Sequence, residues 1–243
     1  MKDILQDIVA HTHALGFLNI VKVNGDDAQT GIDSMAEDRS VILQANTKAP
    51  QIEMKGTFGM PNLNKLDIHL KCPEYKDGAT IDVVTADRNG STIPVGIHFE
   101  NKAGDFKNDY RFMNADIINE KLKTVKFKGA SWDVEVAPTI ANVQRFKLQA
   151  TANAEETVFT VITDGTNLKF KFGDASTHAG EFIFAANITG SLKNEWAWPV
   201  AQVMAILNLD GDKVMRISDQ GAMQIAVDSG LAQYEYILPA QSK

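Results

Sequence analysis

Cysteine is nearly absent: Cys72 stands alone in 243 residues. That excludes an intrachain disulfide framework and fits a reducing compartment. Cys72 reads as a small, half-buried hydrophobe. Long apolar runs are also missing. No stretch approaches the roughly 18 residues of a membrane span, so no membrane partner is expected. The opening segment MKDILQDIVAHTHALGF carries acids inside its apolar pattern and does not read as a signal peptide. Catalytic signatures are equally scarce. There is no phosphate loop, no G-x-G-x-x-G after a strand, no H-E-x-x-H and no G-x-S-x-G. His11-x-His13 lacks an acid or cysteine pattern to complete a metal site, and residues two apart on a helix point to different sides. His98 and His178 are scattered, and Asp210-Gly211-Asp212 lacks the other ligands of a calcium loop. No catalytic residue, metal or cofactor is therefore expected. Positive charge is in deficit as well. Lys and Arg number 24 against 31 Asp and Glu, a formal net charge of −7. As a sum this argues against tight nucleic-acid binding, but a chain can be acidic outside and basic along one surface.

What the sequence does have is a repeat. A helix-then-strands pattern near residue 1 recurs near residue 139, and the segment at Met60-Pro61 recurs at Trp198-Pro199. Pro61 and Pro199 stand 138 residues apart (199 − 61 = 138), as do Met1 and Thr139. One sustained offset marks two copies of one structural unit. In the first copy, residues 2–15 read as an amphipathic helix with Ile4, Leu5, Ile8, Val9, Thr12 and Leu15 in one stripe. Residues 61–72 read as a second helix opened by Pro61, with Leu63, Leu66 and Leu70 inward. ATIDVVTADRNGSTIPVGIHFE is a hairpin about Asn89-Gly90, and DYRFMNADI a last strand. In the second copy, residues 139–151 form a helix with Ile140, Val143, Phe146 and Ala150 inward. Strands follow about Asp164-Gly165. A helix opened by Pro199 comes next, and three closing strands turn at Gly221 and Gly230. Each half reads as α-β-β-β-α-β-β-β. The expected domains are 1–122 and 139–243, joined by a connector over 123–138.

The helix faces opposite the apolar stripes are polar and weakly basic. Asn142, Arg145 and Gln149 share one such face, and Asn62, Lys65 and His69 another. Lys2 and His13 point outward from the first helix beside Asp3 and Asp7. These faces are either solvated surfaces or loose contacts for phosphate backbones. Lys121, Lys123, Lys126 and Lys128 alternate with Leu122, Val125 and Phe127. They either guard an exposed edge strand or extend a DNA-facing surface.

The tail KVMRISDQGAMQIAVDSGLAQYEYILPA resembles the closing strands of DNA sliding clamps. Its elements are Val214–Ser218, the Gly221 turn, Ala222–Val227, Asp228-Ser229-Gly230 and Tyr234–Pro239. KFKFGDASTHAGEFIF and EWAWPVAQVMAILNL are similar to phage polymerase clamps of the proliferating-cell-nuclear-antigen-like superfamily. The resemblance is specific over 139–243 and rests on the repeat over 1–122. It implies an α+β clamp fold of two similar domains, each with two inner helices and outer antiparallel sheets, assembled into a closed ring of three subunits. It implies a non-enzymatic processivity factor that encircles double-stranded DNA without sequence preference. Such a factor tethers a DNA polymerase in viral replication and is placed by a clamp loader, at replication forks in the host cytoplasm. The DNA-facing set would be Lys2, His13, Lys65, His69, Lys121, Lys123, Asn142, Arg145 and Gln149. Partner peptides would dock on Trp132, Val134 and Val136 with Tyr236, Ile237, Leu238 and Pro239. The alternatives are a phage structural or assembly protein of duplicated β-rich domains, and a small-molecule-binding enzyme.

Overall fold

The computed structural model describes residues 1–243 apart from 89, 124–126, 128, 175, 177, 242 and 243. The chain divides into two compact units. One holds Met1–Arg39, Leu43–Val125 and Ser229–Tyr234; the other holds Ser40–Ile42, Lys126–Asp228 and Glu235–Lys243.

The first unit opens with helix α1 (Lys2–Ala10), which buries Ile4, Leu5, Ile8 and Val9. The helix stops short of residue 15. Thr12 donates its hydroxyl to the Ile8 carbonyl at 2.6 Å, and its backbone leaves the helical region at φ −130, ψ −83. Strands β1 (Val21–Gly25), β2 (Thr30–Met35), β3 (Ile42–Thr47) and β4 (Gly56–Met60) follow, side by side in the order β4-β1-β2-β3. Val23 lies opposite both Ile32 and Phe58, so these three buried side chains share one apolar face. Lys22, Asp33 and Gly59 share the other. Helix α2 (Leu63–Lys71) comes next, then β5 (Thr80–Arg88), β6 (Ser91–Glu100) and β7 (Lys107–Arg111) as a three-stranded sheet in that order. The hairpin of β5 and β6 is as expected, although Asn89 lies outside the described residues. Helix α3 (Ala115–Lys121) closes the run.

The second unit repeats this plan. After β8 (Val134–Val136) come α4 (Ile140–Ala152), β9 (Val158–Thr163), β10 (Leu168–Phe172), β11 (Gly180–Ala185), β12 (Trp196–Pro199) and α5 (Val200–Leu207). Strands β13 (Asp212–Ser218), β14 (Ala222–Asp228) and β15 (Ala232–Pro239) end the repeat, the first three residues of β15 belonging to the first unit. The order β12-β9-β10-β11 matches β4-β1-β2-β3 strand for strand. Phe146 of α4 is fully buried against Phe159, Phe170, Phe172 and Phe182, with ring centroids 4.9 to 6.5 Å apart. Such offset and edge-on ring pairs add to the burial of aromatic area.

Each half is thus α-β-β-β-β-α-β-β-β, one strand more than expected. The extra strands are GTFGM and WAWP, whose glycines and proline mask the alternating pattern. Pro199 cannot donate to a ladder, and β12 accordingly sits at the edge of its sheet. DYRFMNADI is only partly strand. Asn114 accepts a hydrogen bond from Ile117 N at 3.0 Å and starts α3 instead. Pro61 also lies before its helix, for Asn62 occupies the capping position. The connector is not all linker, because Val134–Val136 pairs with β13.

Candidate nucleic-acid interface

On α2 the buried stripe is Leu63, Leu66 and Leu70, leaving Asn64, Lys65, Ile68 and Lys71 exposed. Lys65 points outward as its spacing predicts. His69 does not, and its expected outward placement is corrected. It is 8% exposed, with its ring 5.1 Å from Phe99 and 6.3 Å from Tyr75. Its Nε2 has no hydrogen-bond partner among the described residues. Burial, then the charge of Lys65, pushes its pKa below the usual histidine value. The helix packs a broader sector than its leucines alone define, and an imidazole one position from Leu70 falls within it.

Two further placements are corrected on α1. Lys2 is half-buried, and its ammonium donates to the Tyr75 carbonyl at 2.7 Å. His13 lies beyond the helix, in a 3-10 turn (His13–Leu15), with a buried Nδ1. Asp7 belongs to neither face. Its carboxylate accepts from the Tyr234 hydroxyl at 2.8 Å and the Ser229 hydroxyl at 2.9 Å, and lies 3.3 Å from the His11 ring. Burial pushes the Asp7 carboxyl up, but hydrogen bonds from His11, Tyr234 and Ser229 outweigh it and hold the group below its ordinary value. The outward residues of α1 are Asp3, Gln6 and Ala10.

On α4 the rotation differs from the sequence reading. Ile140, expected inward, is 83% exposed, and Leu148 is 70% exposed. Thr139 and Asn142 form a reciprocal cap, so Ile140 stands at the first helical position, outside the packed turns. Asn142 donates to the Phe184 carbonyl at 2.5 Å, and Arg145 donates to the Ile183 carbonyl at 3.0 Å. The Arg145 guanidinium also lies 5.5 Å above the Phe182 ring. Gln149 is half-buried on the same side. Asn142, Arg145 and Gln149 therefore turn toward β11, and the free surface of α4 carries Gln144, Lys147, Leu148 and Thr151. The sequence reading missed Lys147 because an ideal helical count places it near the apolar side. A groove of about 830 Å³ runs between α4 and α5, bordered by Lys147, Thr151, Ala201, Met204 and Asn208.

Lys121 ends α3 and is exposed, as is Lys123. Neither lies in an alternating strand. Ile118 of α3 sits over Gly59, where an added Cβ would come within 2.9 Å, on the sheet face opposite Phe58. Lys126 and Lys128 lie outside the described residues. Of the expected peptide-docking residues, Val134, Val136, Tyr236, Ile237 and Leu238 are buried in strands. The Trp198 indole N–H binds the Leu238 carbonyl at 3.2 Å, so that residue holds the core. Trp132 is half-buried with its ring 6.0 Å from Phe127, and Pro239 is exposed.

Two sheet edges stand out. Strand β7 ends its sheet with Lys107, Asp109 and Arg111 exposed. Strand β11 ends the other, its outer carbonyls met by Arg145 and Asn142. A cavity of about 300 Å³ lies beside β7, bordered by Pro61, Asn62, Lys65, Tyr110 and Arg111.

The sequence matches no protein-family model, and no curated protein resembles it in sequence. Solved structures do resemble it in fold. One is the C-terminal region of FEN-1 bound to A. fulgidus PCNA. It matches at TM-score 0.69 and 10% identity, over 100% of this chain and 95% of that one. Another is PCNA from Thermococcus kodakaraensis, at TM-score 0.68 and 11% identity, over 99% of this chain and 97% of that one. From end to end, the chain has the α+β DNA clamp fold seen in these PCNA structures.

Proposed function

We propose that this chain is the subunit of a homotrimeric sliding clamp. It encircles double-stranded DNA, without sequence preference, as the processivity factor of a viral DNA polymerase. The observation that carries this is the end-to-end likeness to PCNA over an internally duplicated chain. Residues 1–122 and 139–243 are the two clamp domains, and 123–138 joins them. The protein itself catalyses nothing; its shape is its activity. A clamp must hold DNA yet slide, so few phosphate contacts and no base readout are wanted. The exposed faces of α2 and α4 suit that demand: Lys65 on α2 and Lys147 on α4 stand beside neutral residues, and Lys71 is paired with Asp67. Lys65 and Lys147 are the primary contacts, with Arg145 at the margin.

The repeat also supports ring closure. In the first unit, β3 is flanked by the start of β15, where Lys48 N donates to the Leu231 carbonyl at 2.8 Å. The counterpart of β3 is β11, which ends its sheet, and the counterpart of β15 is β7, which ends another. Pairing β7 of one copy with β11 of the next would repeat the β15–β3 junction between subunits. The A. fulgidus PCNA structure carries a FEN-1 peptide. By analogy, polymerase and loader tails dock near Trp132 and Pro239, the two members of the expected set that are not buried. Work at replication forks places the protein in the host cytoplasm.

Light scattering should give about three times the 26.6 kDa chain mass. Polymerase extension on primed circular DNA should become processive when the protein is loaded. A concentration-independent monomer, or a trimer without effect on extension, sinks the proposal; the latter outcome favours a structural protein.

A further inference from the structure

The cavity beside β7 brings together groups that the sequence keeps apart. Lys65 lies in the first turn of α2, the positive end of that helix's dipole. A cation is disfavoured there. The first turn contains no acid, and the capping residue Asn62 makes no side-chain hydrogen bond to the helix. Arg111 of β7 borders the same cavity and is exposed. Neither Lys65 nor Arg111 makes an ion pair among the described residues. One acid, Asp109, also lines the cavity. Its carboxylate is occupied, since His98 Nδ1 lies 2.8 Å from Asp109 Oδ1. That hydrogen bond, with a lesser contribution from the Arg111 charge, holds Asp109 below the usual carboxylate range. The Tyr110 hydroxyl donates to the Pro61 carbonyl and ties β7 to the entry of α2. Two cations, Arg111 partly offset by Asp109, thus border a concave site large enough for one tetrahedral anion.

We infer that Lys65 and Arg111 together seat one phosphate group of the DNA backbone, making Arg111 a DNA-contacting residue that helix-face reasoning does not reach. The inference rests on the clamp reading and adds to it a contact from a sheet edge. A phosphate there meets Lys65 as a point charge and Arg111 as a planar fork.

The test is the salt dependence of binding to a fluorescent DNA duplex, with trimer mass followed in parallel. Arg111→Ala and Lys65→Ala should each shallow the slope of log K against log salt, and the double variant should lose no more than the roughly 0.9 of a single phosphate contact. Lys55→Ala, which removes an exposed cation paired with Asp27, should leave it unchanged. An unaltered slope in Arg111→Ala overturns the inference while the clamp reading stands. Loss of the trimer in Arg111→Ala also overturns it, because the arginine then holds a neighbouring copy. Binding of inorganic phosphate that is lost in Arg111→Ala, together with an unaltered DNA salt slope in that variant, assigns the cavity to free phosphate and overturns the DNA contact. Wild-type protein that neither binds the duplex nor forms a trimer removes both readings together.

Discussion

The two units share a strand order but not a chemistry at their first helices. Asp7 and Arg145 stand at corresponding positions (145 − 7 = 138), as do Ile8 and Phe146. Asp7 is buried in a polar knot with His11, Ser229 and Tyr234, where the His11 ring stacks on Tyr234 at 4.2 Å. Arg145 reaches an open sheet edge at Ile183 instead. Beneath them, α1 packs aliphatic side chains and α4 packs a phenylalanine cluster. Duplication has kept the topology, which backbone pairing enforces, while the helix contacts have diverged. In the first unit the helix grips a strand that the chain itself supplies. In the second the corresponding strand has no neighbour on its outer side among the described residues, and side chains cover its carbonyls.

The largest expected effect tests the aromatic core. Phe146→Ala should destabilise the second unit by about 3–5 kcal/mol, because the four rings packed on it cannot collapse fully around the hole. Denaturant unfolding should then show the second unit melting first, and coincident loss of both units would deny them separate cores.

The polar knot should cost less to disturb. Asp7→Asn should destabilise by about 1–3 kcal/mol, through a buried network left partly unpaired. Its pH signature has a definite sign. The folded Asp7 pKa is depressed, so its stabilisation is complete above the unfolded carboxylate value and is lost as pH falls through the folded value. Stability curves of wild type and Asp7→Asn should converge below about pH 4. Parallel curves would show that the knot is not electrostatic.

His69 predicts a smaller slope at higher pH. Its folded pKa is lowered, so the unfolded chain binds the proton more readily, and stability falls as pH drops below about 6.5. His69→Leu should flatten that slope, read by thermal melting between pH 5 and 7. A slope retained in the variant would move the effect to another group.

At the edge strand, Arg145→Ala should change monomer stability by only about 0.5–1.5 kcal/mol, since one exposed hydrogen bond is lost. It should alter trimer dissociation more than unfolding, as measured by light scattering on dilution. The smallest effect belongs to the exposed Lys71–Asp67 pair at 2.6 Å, where Lys71→Ala should cost about 0.3–0.5 kcal/mol.

The sequence by itself determined the duplication, the offset, the amphipathic stripes of α1 and α2, and the hairpins, because these follow from local periodicity and turn chemistry. The two closing strand triplets were legible for the same reason. Only the tertiary structure decided where polar side chains at helix flanks end up. His69, Asn142 and Gln149 have the spacing of an outer face, yet packing against Phe99 and β11 turns them inward. A helix stripe widens wherever a second element covers its flank, and no residue spacing records that. Strands β4 and β12 escaped notice because glycine and proline break their alternation, while their place in the sheet comes from distant partners. Arg111 joins Lys65 across 46 residues (111 − 65 = 46) only because β7 folds back beside the start of α2. Charge meets charge there through long-range pairing, which periodicity along the chain does not encode.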